Sequence, residues 1–107
     1  MLSKIEIVRE ALLTVTENVG HYEAMRKNDK YIVWAEDAEG SSVSGNNVKV
    51  NQSIQGTVDY FTRMESDSNV DRIQKALKKA GISFYLNSVQ YETETEYIHY
   101  EWVWEVS

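Results

Sequence analysis

The residues best placed to do chemistry lie in one alternating segment near the end of the sequence, from Tyr97 to Val106. Side chains at every second position of a β-strand point to the same face, so Tyr97, His99 and Glu101 share one side. A histidine beside a glutamate could bind a metal such as zinc, but two ligands are fewer than a zinc site needs. We therefore expect His99 to be a solvent-facing or interface residue. A small metal-binding enzyme centred on His99 stays open as an alternative.

Acidic residues form two further groups. Glu36, Asp37 and Glu39 precede Gly40 and invite a calcium site, but the spacing of ligands in a calcium-binding EF-hand loop is missing. Three more carboxylates cluster at a predicted hairpin tip, where solvation is expected rather than acid–base catalysis: Glu92, Glu94 and Glu96.

Motifs that identify an enzyme are missing from the sequence. It contains no Gly-x-Ser-x-Gly, no phosphate-binding Walker loop, no dinucleotide fingerprint and no cysteine. We predict no catalytic residues, no cofactor and no metal, and therefore a protein that is not an enzyme.

The composition is that of one soluble globular domain spanning residues 1–107. Its 3 Trp, 7 Tyr and 2 Phe supply large side chains for a core. A net charge of −6 argues against binding nucleic acid or an anionic membrane, because both need clustered Lys and Arg. No apolar stretch approaches the roughly 20 residues that span a bilayer. The absence of cysteine fits a reducing cytoplasm.

The spacing of apolar residues predicts the elements that position these groups. Steps of three and four from Ile5 to Val19 predict a first helix ending at Gly20, and Val70, Ile73 and Leu77 lie on a second helix. Alternation of period two predicts strands at 21–25 and 31–35, joined as a hairpin, and at 48–64 and 82–91, before the final strand. A bulge is expected at Asn87 and Ser88, where the alternation changes phase.

The order α-β-β-β-α-β-β predicts an α+β fold. Two amphipathic helices pack on one face of a mostly antiparallel sheet of about five strands. The apolar side of the last strand, with Trp102 and Trp104, is expected to face the helices. Residues 36–47, rich in Gly, Ser, Asn and acids, are predicted to be a long flexible loop, and loops of that length are often functional.

Five segments together carry a family resemblance. They are Lys30-Tyr-Ile-Val-Trp-Ala-Glu36, Val50-Asn-Gln-Ser-Ile-Gln-Gly-Thr-Val-Asp-Tyr-Phe-Thr62, Asn69-Val-Asp-Arg-Ile-Gln-Lys-Ala-Leu77, Asn87-Ser-Val-Gln-Tyr-Glu92 and Ile98-His-Tyr-Glu-Trp-Val-Trp-Glu105. They resemble small structural proteins of long-tailed bacteriophages and prophages of Gram-positive bacteria. These are the tail-completion or tail-terminator proteins, also described as minor capsid or minor tail proteins.

The resemblance implies a tail-terminator-like fold and a non-enzymatic role in virion assembly. It implies a ring, usually a hexamer, that caps the tail tube and meets the head connector protein. The protein would act in the bacterial host cytoplasm during assembly and remain at the head–tail junction of the virion. Its partners would be itself, the tail tube protein and the head connector, without sequence-specific binding of nucleic acid and without a membrane.

Two regions are candidate assembly interfaces. We expect the loop to become ordered on contact with a neighbour, so that deleting residues 41–45 impairs assembly and spares folding. The polar side of the last strand is the other region. The candidate interface residues are Glu36, Asp37, Glu39, Val43, Asn46, Asn47, Tyr97, His99 and Glu101. A cellular protein-binding adaptor domain remains the main alternative to a phage role.

Overall fold

The computed structural model describes residues 2–39 and 53–107, with the side chains of the first helix from Lys4 onward. Its elements follow the predicted order α-β-β-β-α-β-β, and the predicted α+β class is confirmed. The helices are α1 (Leu2–Leu13) and α2 (Asn69–Lys79). The strands are β1 (Val19–His21), β2 (Lys30–Glu39), β3 (Ile54–Thr62), β4 (Ser83–Glu92) and β5 (Tyr97–Val106).

The five strands form one sheet in the order β1-β2-β3-β5-β4. β1 runs parallel to β2, and the other neighbours are antiparallel. The register aligns Trp34, Val58 and Trp102 in one row across β2, β3 and β5. Because strand side chains alternate between faces, this row and its even-numbered neighbours all point to the side that carries the helices.

The core lies between that face and the apolar stripes of the two helices. Trp102 and Trp104 are fully buried, which confirms their predicted position. Trp102 also donates its Nε1 hydrogen to Oε1 of Gln74 on α2, at 3.0 Å. Other buried members of the core are Ile5, Val8, Leu12, Ile32, Trp34, Val58, Tyr60, Ile73 and Leu77.

The predicted first helix and the hairpin after it were wrong in detail. α1 ends at Leu13 rather than Gly20, where β-branched Thr14, Val15 and Thr16 weaken helix continuation. Gly20 instead lies within β1, so close to the returning chain that a Cβ would come 2.0 Å from the Glu23 oxygen. The chain then curls back, so β1 is the parallel neighbour of β2 and not its hairpin partner.

The predicted loop 36–47 begins too early. Glu36, Asp37 and Glu39 belong to β2, whose second half pairs with β3 as far as Glu39 opposite Ile54. Acidic residues are tolerated here because the end of the strand is largely exposed, and a bulge at Asp37 interrupts the ladder. The remainder of the loop, including residues 41–45, lies outside the described residues, as does the predicted start of β3 at 48–52.

Helix α2 crosses the sheet obliquely. At its start, the Asp67 carboxylate accepts hydrogen bonds from Tyr60 and Thr62 near the end of β3. At its other end, Gly81 with φ of +76° turns the chain into β4. From Leu86 onward, β4 has no described helix above it. Leu86, Val89 and Tyr91, here named the uncovered row, point to the helix side yet remain 44%, 50% and 60% exposed.

Candidate functional site

The open face of the sheet, opposite the helices, carries an aromatic stack across three strands. Tyr31 of β2, Phe61 of β3 and His99 of β5 occupy one register row. The ring centroids of Tyr31 and Phe61 are 4.5 Å apart, and those of Phe61 and His99 are 4.2 Å apart. Tyr97 meets Tyr31 edge-on at 5.4 Å. These ring contacts join the side chains of β2, β3 and β5 on the open face.

His99 is fixed between two carboxylates. Its Nε2 lies 2.7 Å from Oδ1 of Asp59, and its Nδ1 lies 3.6 Å from Oε2 of Glu92. The hydrogen bond with Asp59 raises the pKa of His99 above its ordinary value, although partial burial opposes this. The arrangement therefore favours the positively charged imidazolium, which donates to Asp59.

Tyr97 and Arg63 tie β5 to the connection between β1 and β2. The Tyr97 hydroxyl donates to the carbonyl oxygen of Asn28 at 2.5 Å. The guanidinium carbon of Arg63 lies 4.3 Å from the centroid of the Tyr97 ring, a cation–π contact. Arg63 also reaches Oδ1 of Asp29 with its Nη1 at 3.0 Å. These contacts give Tyr97 a structural role, which explains why it is buried.

A shallow cavity of about 400 Å³ lies beside the stack. It is lined by the apolar and aromatic side chains of Tyr31, Val33 and Phe61 and by charged side chains of both signs, Lys27 and Asp59. The remaining lining residues are Tyr22, Glu23 and Ala24. An aromatic lining beside charges of both signs suits an inserted side chain from a protein partner.

The acidic end of β2 forms a separate group. Nε2 of His21 lies 2.6 Å from Oε1 of Glu36, and the His21 ring stacks on Trp34 at 4.0 Å. Burial alone would raise the pKa of Glu36, but the hydrogen bonds from His21 and its other neighbours outweigh burial and lower it. Glu36 is therefore engaged within the chain. Asp37 and Glu39 follow it in β2 and are exposed.

The candidate interface residues divide between these places. Tyr97, His99 and Glu101 share the open face, where Glu101 accepts a hydrogen bond from the amide of Asn87 at 2.8 Å. Glu36 is aligned with Gly56 and Trp104, in a row that points to the helix side. The two groups do not form one site. Val43, Asn46 and Asn47 lie outside the described residues.

The neighbours that define the environment of His99 are Asp59, Phe61 and Glu92, and none of them was among the candidate residues. The available signal was the odd phase of the strand at 48–64, which places Asp59 and Phe61 on one face. That alternation does not show which strand pairs with β3 on the side of Asp59 and Phe61.

Within residues 2–39 and 53–107, no group of three or more His, Asp or Glu side chains is arranged to hold a metal ion. Neither described helix is long and apolar enough to cross a membrane.

Comparison with known proteins gives no family assignment: no protein-family model matches the chain, and no curated protein matches it significantly.

Proposed function

We propose that this protein is a virion assembly protein of a long-tailed phage or prophage. In this role it is a tail terminator, which forms a ring on the end of the tail tube at the head–tail junction. The five segments that resemble tail-completion proteins support this role and span most of the chain from residue 30 to residue 105. The role is also compatible with an α+β fold of two helices on a single sheet.

One structural observation carries the choice of an assembly role. β4 exposes large apolar side chains on both of its faces, with Tyr85 at 59% on the open face and the uncovered row on the other. Isolated apolar residues are normal on a protein surface, but a contiguous set on one edge strand is typical of a protein-binding surface. An assembly protein needs such surfaces, whereas a catalytic protein needs a pocket with reactive groups.

The polar groups of the open face support the same choice. They form three separate pairs: His99 with Asp59, Arg63 with Asp29, and Glu101 with Asn87. Groups held in this way present a preorganised pattern of shape and charge to a partner. In the proposed ring, the exposed acids Asp37 and Glu39 and the face around His99 and Glu101 are the surfaces offered to neighbouring copies, the tail tube protein or the head connector.

A cellular adaptor domain is the second candidate. The shallow cavity lined by Tyr31 and Phe61 favours an adaptor role, because a short peptide could place one side chain in that cavity. The two candidates differ in what happens to tails. Loss of an adaptor would leave tail length unchanged, whereas loss of a terminator would let the tail tube grow past its normal length.

The test is deletion of the gene from its phage or prophage, followed by induction and negative-stain imaging. We expect headless tails of irregular, extended length, and return to one length when the intact protein is supplied from a plasmid. A plasmid copy with Trp104→Ala serves as the control for a destabilised core, since it removes a large, fully buried side chain. Tails of normal length joined to heads in the deletion strain would contradict the proposal.

A second arm of the test uses the predicted loop. A plasmid copy lacking residues 41–45 is expected to fold, as judged by its circular dichroism and thermal unfolding, and to fail in restoring tail length. Full restoration by this variant would show that the loop has no part in assembly.

A further inference from the structure

The outer side of β4 is one of the two edges of the sheet that the structure describes. β4 ends the strand order, and none of the described strands pairs with its outer side. Edge strands of monomeric proteins usually carry Lys or Pro, which discourage pairing with another chain. β4 contains no charged residue before Glu92 and no proline. A bulge at Asn87 divides it into two regular halves, 83–86 and 88–92.

The two halves of β4 differ in what covers their helix side. Phe84, in the first half, packs against the hydrophobic core. Exposure then rises along the uncovered row, from 44% at Leu86 to 60% at Tyr91. The oblique path of α2 explains this difference, because α2 begins near Tyr60 and Thr62 on β3 and ends where β4 starts. The first half is therefore covered at Phe84, and from Leu86 onward none of the described helices covers the strand.

Charges of opposite sign lie at the two ends of β4. Lys78 and Lys79 form the basic last turn of α2, just before β4 begins. Glu92 ends β4, and Glu94 and Glu96 follow in the turn to β5. Here this set, Glu92, Glu94 and Glu96, is named the acidic tip. A strand with one basic and one acidic end is complementary to a second copy of itself in the opposite direction.

From these three observations we infer that β4 is a dimerisation strand, which pairs antiparallel with β4 of a second copy about a two-fold axis near Asn87. The pairing brings the helix-covered half of each strand beside the uncovered half of the other. Val89 and Tyr91 of one copy then lie beside α2 of the second copy, and the acidic tip lies beside Lys78 and Lys79. The result is one continuous sheet with five strands from each copy.

The two-fold pairing is distinct from the contact that a ring requires. A two-fold interface uses the same patch on both copies and closes at two, whereas a ring uses two different patches joined head to tail. The inference therefore does not rest on the proposed tail role. A dimer through β4 covers an exposed apolar edge in the protein before it reaches its site of assembly.

The first experiment is sedimentation velocity of the full chain over a range of concentrations. We expect a monomer–dimer equilibrium. Val89→Lys places a charge in the uncovered row at a half-exposed position, and it should raise the dimer dissociation constant at least about tenfold. Ile7→Lys on α1 is the matched control, because Ile7 is 43% exposed and lies outside β4. It should leave the dissociation constant unchanged.

Thermal unfolding of both variants separates a weakened dimer from a misfolded chain. A native protein that stays monomeric at every concentration would overturn the inference. An oligomer equally insensitive to Val89→Lys and Ile7→Lys would also overturn it.

The second experiment tests the orientation of the two strands. Lys78→Glu with Lys79→Glu reverses the basic end, and Glu94→Lys with Glu96→Lys reverses two residues of the acidic tip. Each double variant should weaken the dimer, and all four substitutions in one chain should restore it, because opposite charges again face each other. A fourfold variant that is as weak as its parents would exclude antiparallel pairing of β4. This readout is dimerisation in solution, so its failure is distinct from failure of the tail-length test.

Discussion

The indole ring of Trp104 lies against Gly56, its partner across the ladder between β3 and β5. A Cβ added to Gly56 would come 2.5 Å from Cζ2 of Trp104 and 2.0 Å from the backbone oxygen of Ala35. Residue 56 is therefore glycine because the backbone of β2 and the indole ring of Trp104 occupy the space that a side chain would need.

Gly56→Ala should destabilise the protein by about 1–3 kcal/mol, since the added methyl group forces the indole or the β2 backbone to move. The free energy of unfolding in urea measures the effect. Thr57→Ala, one residue along on the open face, is the comparison and should cost less. Equal stability of Gly56→Ala and the native protein would show that the sheet relaxes without cost at this position.

Trp104→Ala should cost about 3–5 kcal/mol, because the side chain is fully buried and its removal leaves a large cavity. Tyr91→Ala removes another aromatic ring, but Tyr91 is 60% exposed, and the change should stay within about 0.5 kcal/mol for the monomer. Denaturant unfolding at a concentration below the dimer range compares the two. Similar losses for both variants would contradict the division between core and exposed edge.

Asp67 should contribute to stability that is lost in acid. Its burial would raise its pKa, but hydrogen bonds from Tyr60 at 2.6 Å, the Asn69 amide at 2.9 Å and Thr62 at 2.7 Å outweigh burial and lower it. A carboxyl group with a lowered folded-state pKa stabilises the protein above its unfolded pKa, about 3.9, and that stabilisation disappears as pH falls through the folded pKa.

Asp67→Asn should therefore lower the free energy of unfolding at neutral pH by about 2–4 kcal/mol and flatten its dependence on pH below about 4. Tyr60→Phe removes one donor to the same carboxylate and is expected to cost about 1 kcal/mol. Burial and the Asp67 carboxylate both raise the pKa of Tyr60, so the phenol remains a neutral donor. An unchanged acid limb in Asp67→Asn would rule out this linkage.

His99 should act in the opposite direction. Its folded-state pKa is raised, chiefly by the hydrogen bond to Asp59, so its stabilisation is fully present below the unfolded pKa of about 6.5. That stabilisation is lost as pH rises through the folded pKa. The native protein should therefore lose more stability than His99→Gln across this interval. Parallel pH profiles for the native protein and His99→Gln would contradict the assignment.

The helices, the strand order along the chain and the core tryptophans could be predicted because each depends on a local period. Trp102 and Trp104 lie at alternate positions of a period-two segment, and Ile73 and Leu77 recur with the period of a helix. The parallel pairing of β1 with β2 could not be predicted, because the three residues of β1 do not indicate the direction of pairing. Gly20, which was predicted to end a helix, instead allows a close backbone contact. The contact between Asp59 and His99 could not be predicted either, because the two residues are 40 positions apart and meet only through the ladder between β3 and β5.

The position of β5 between β3 and β4 has a consequence during synthesis. β4 precedes β5 in the chain, yet β5 is its only described neighbour in the sheet. On the ribosome, β1, β2 and β3 can pair as they emerge. β4 can join the sheet only after β5, the Trp-rich strand that follows it, has been synthesised. The nascent chain therefore passes through an interval in which β4, whose one charged residue is Glu92, has no partner strand. We expect β4 to be the segment that a chaperone binds during that interval.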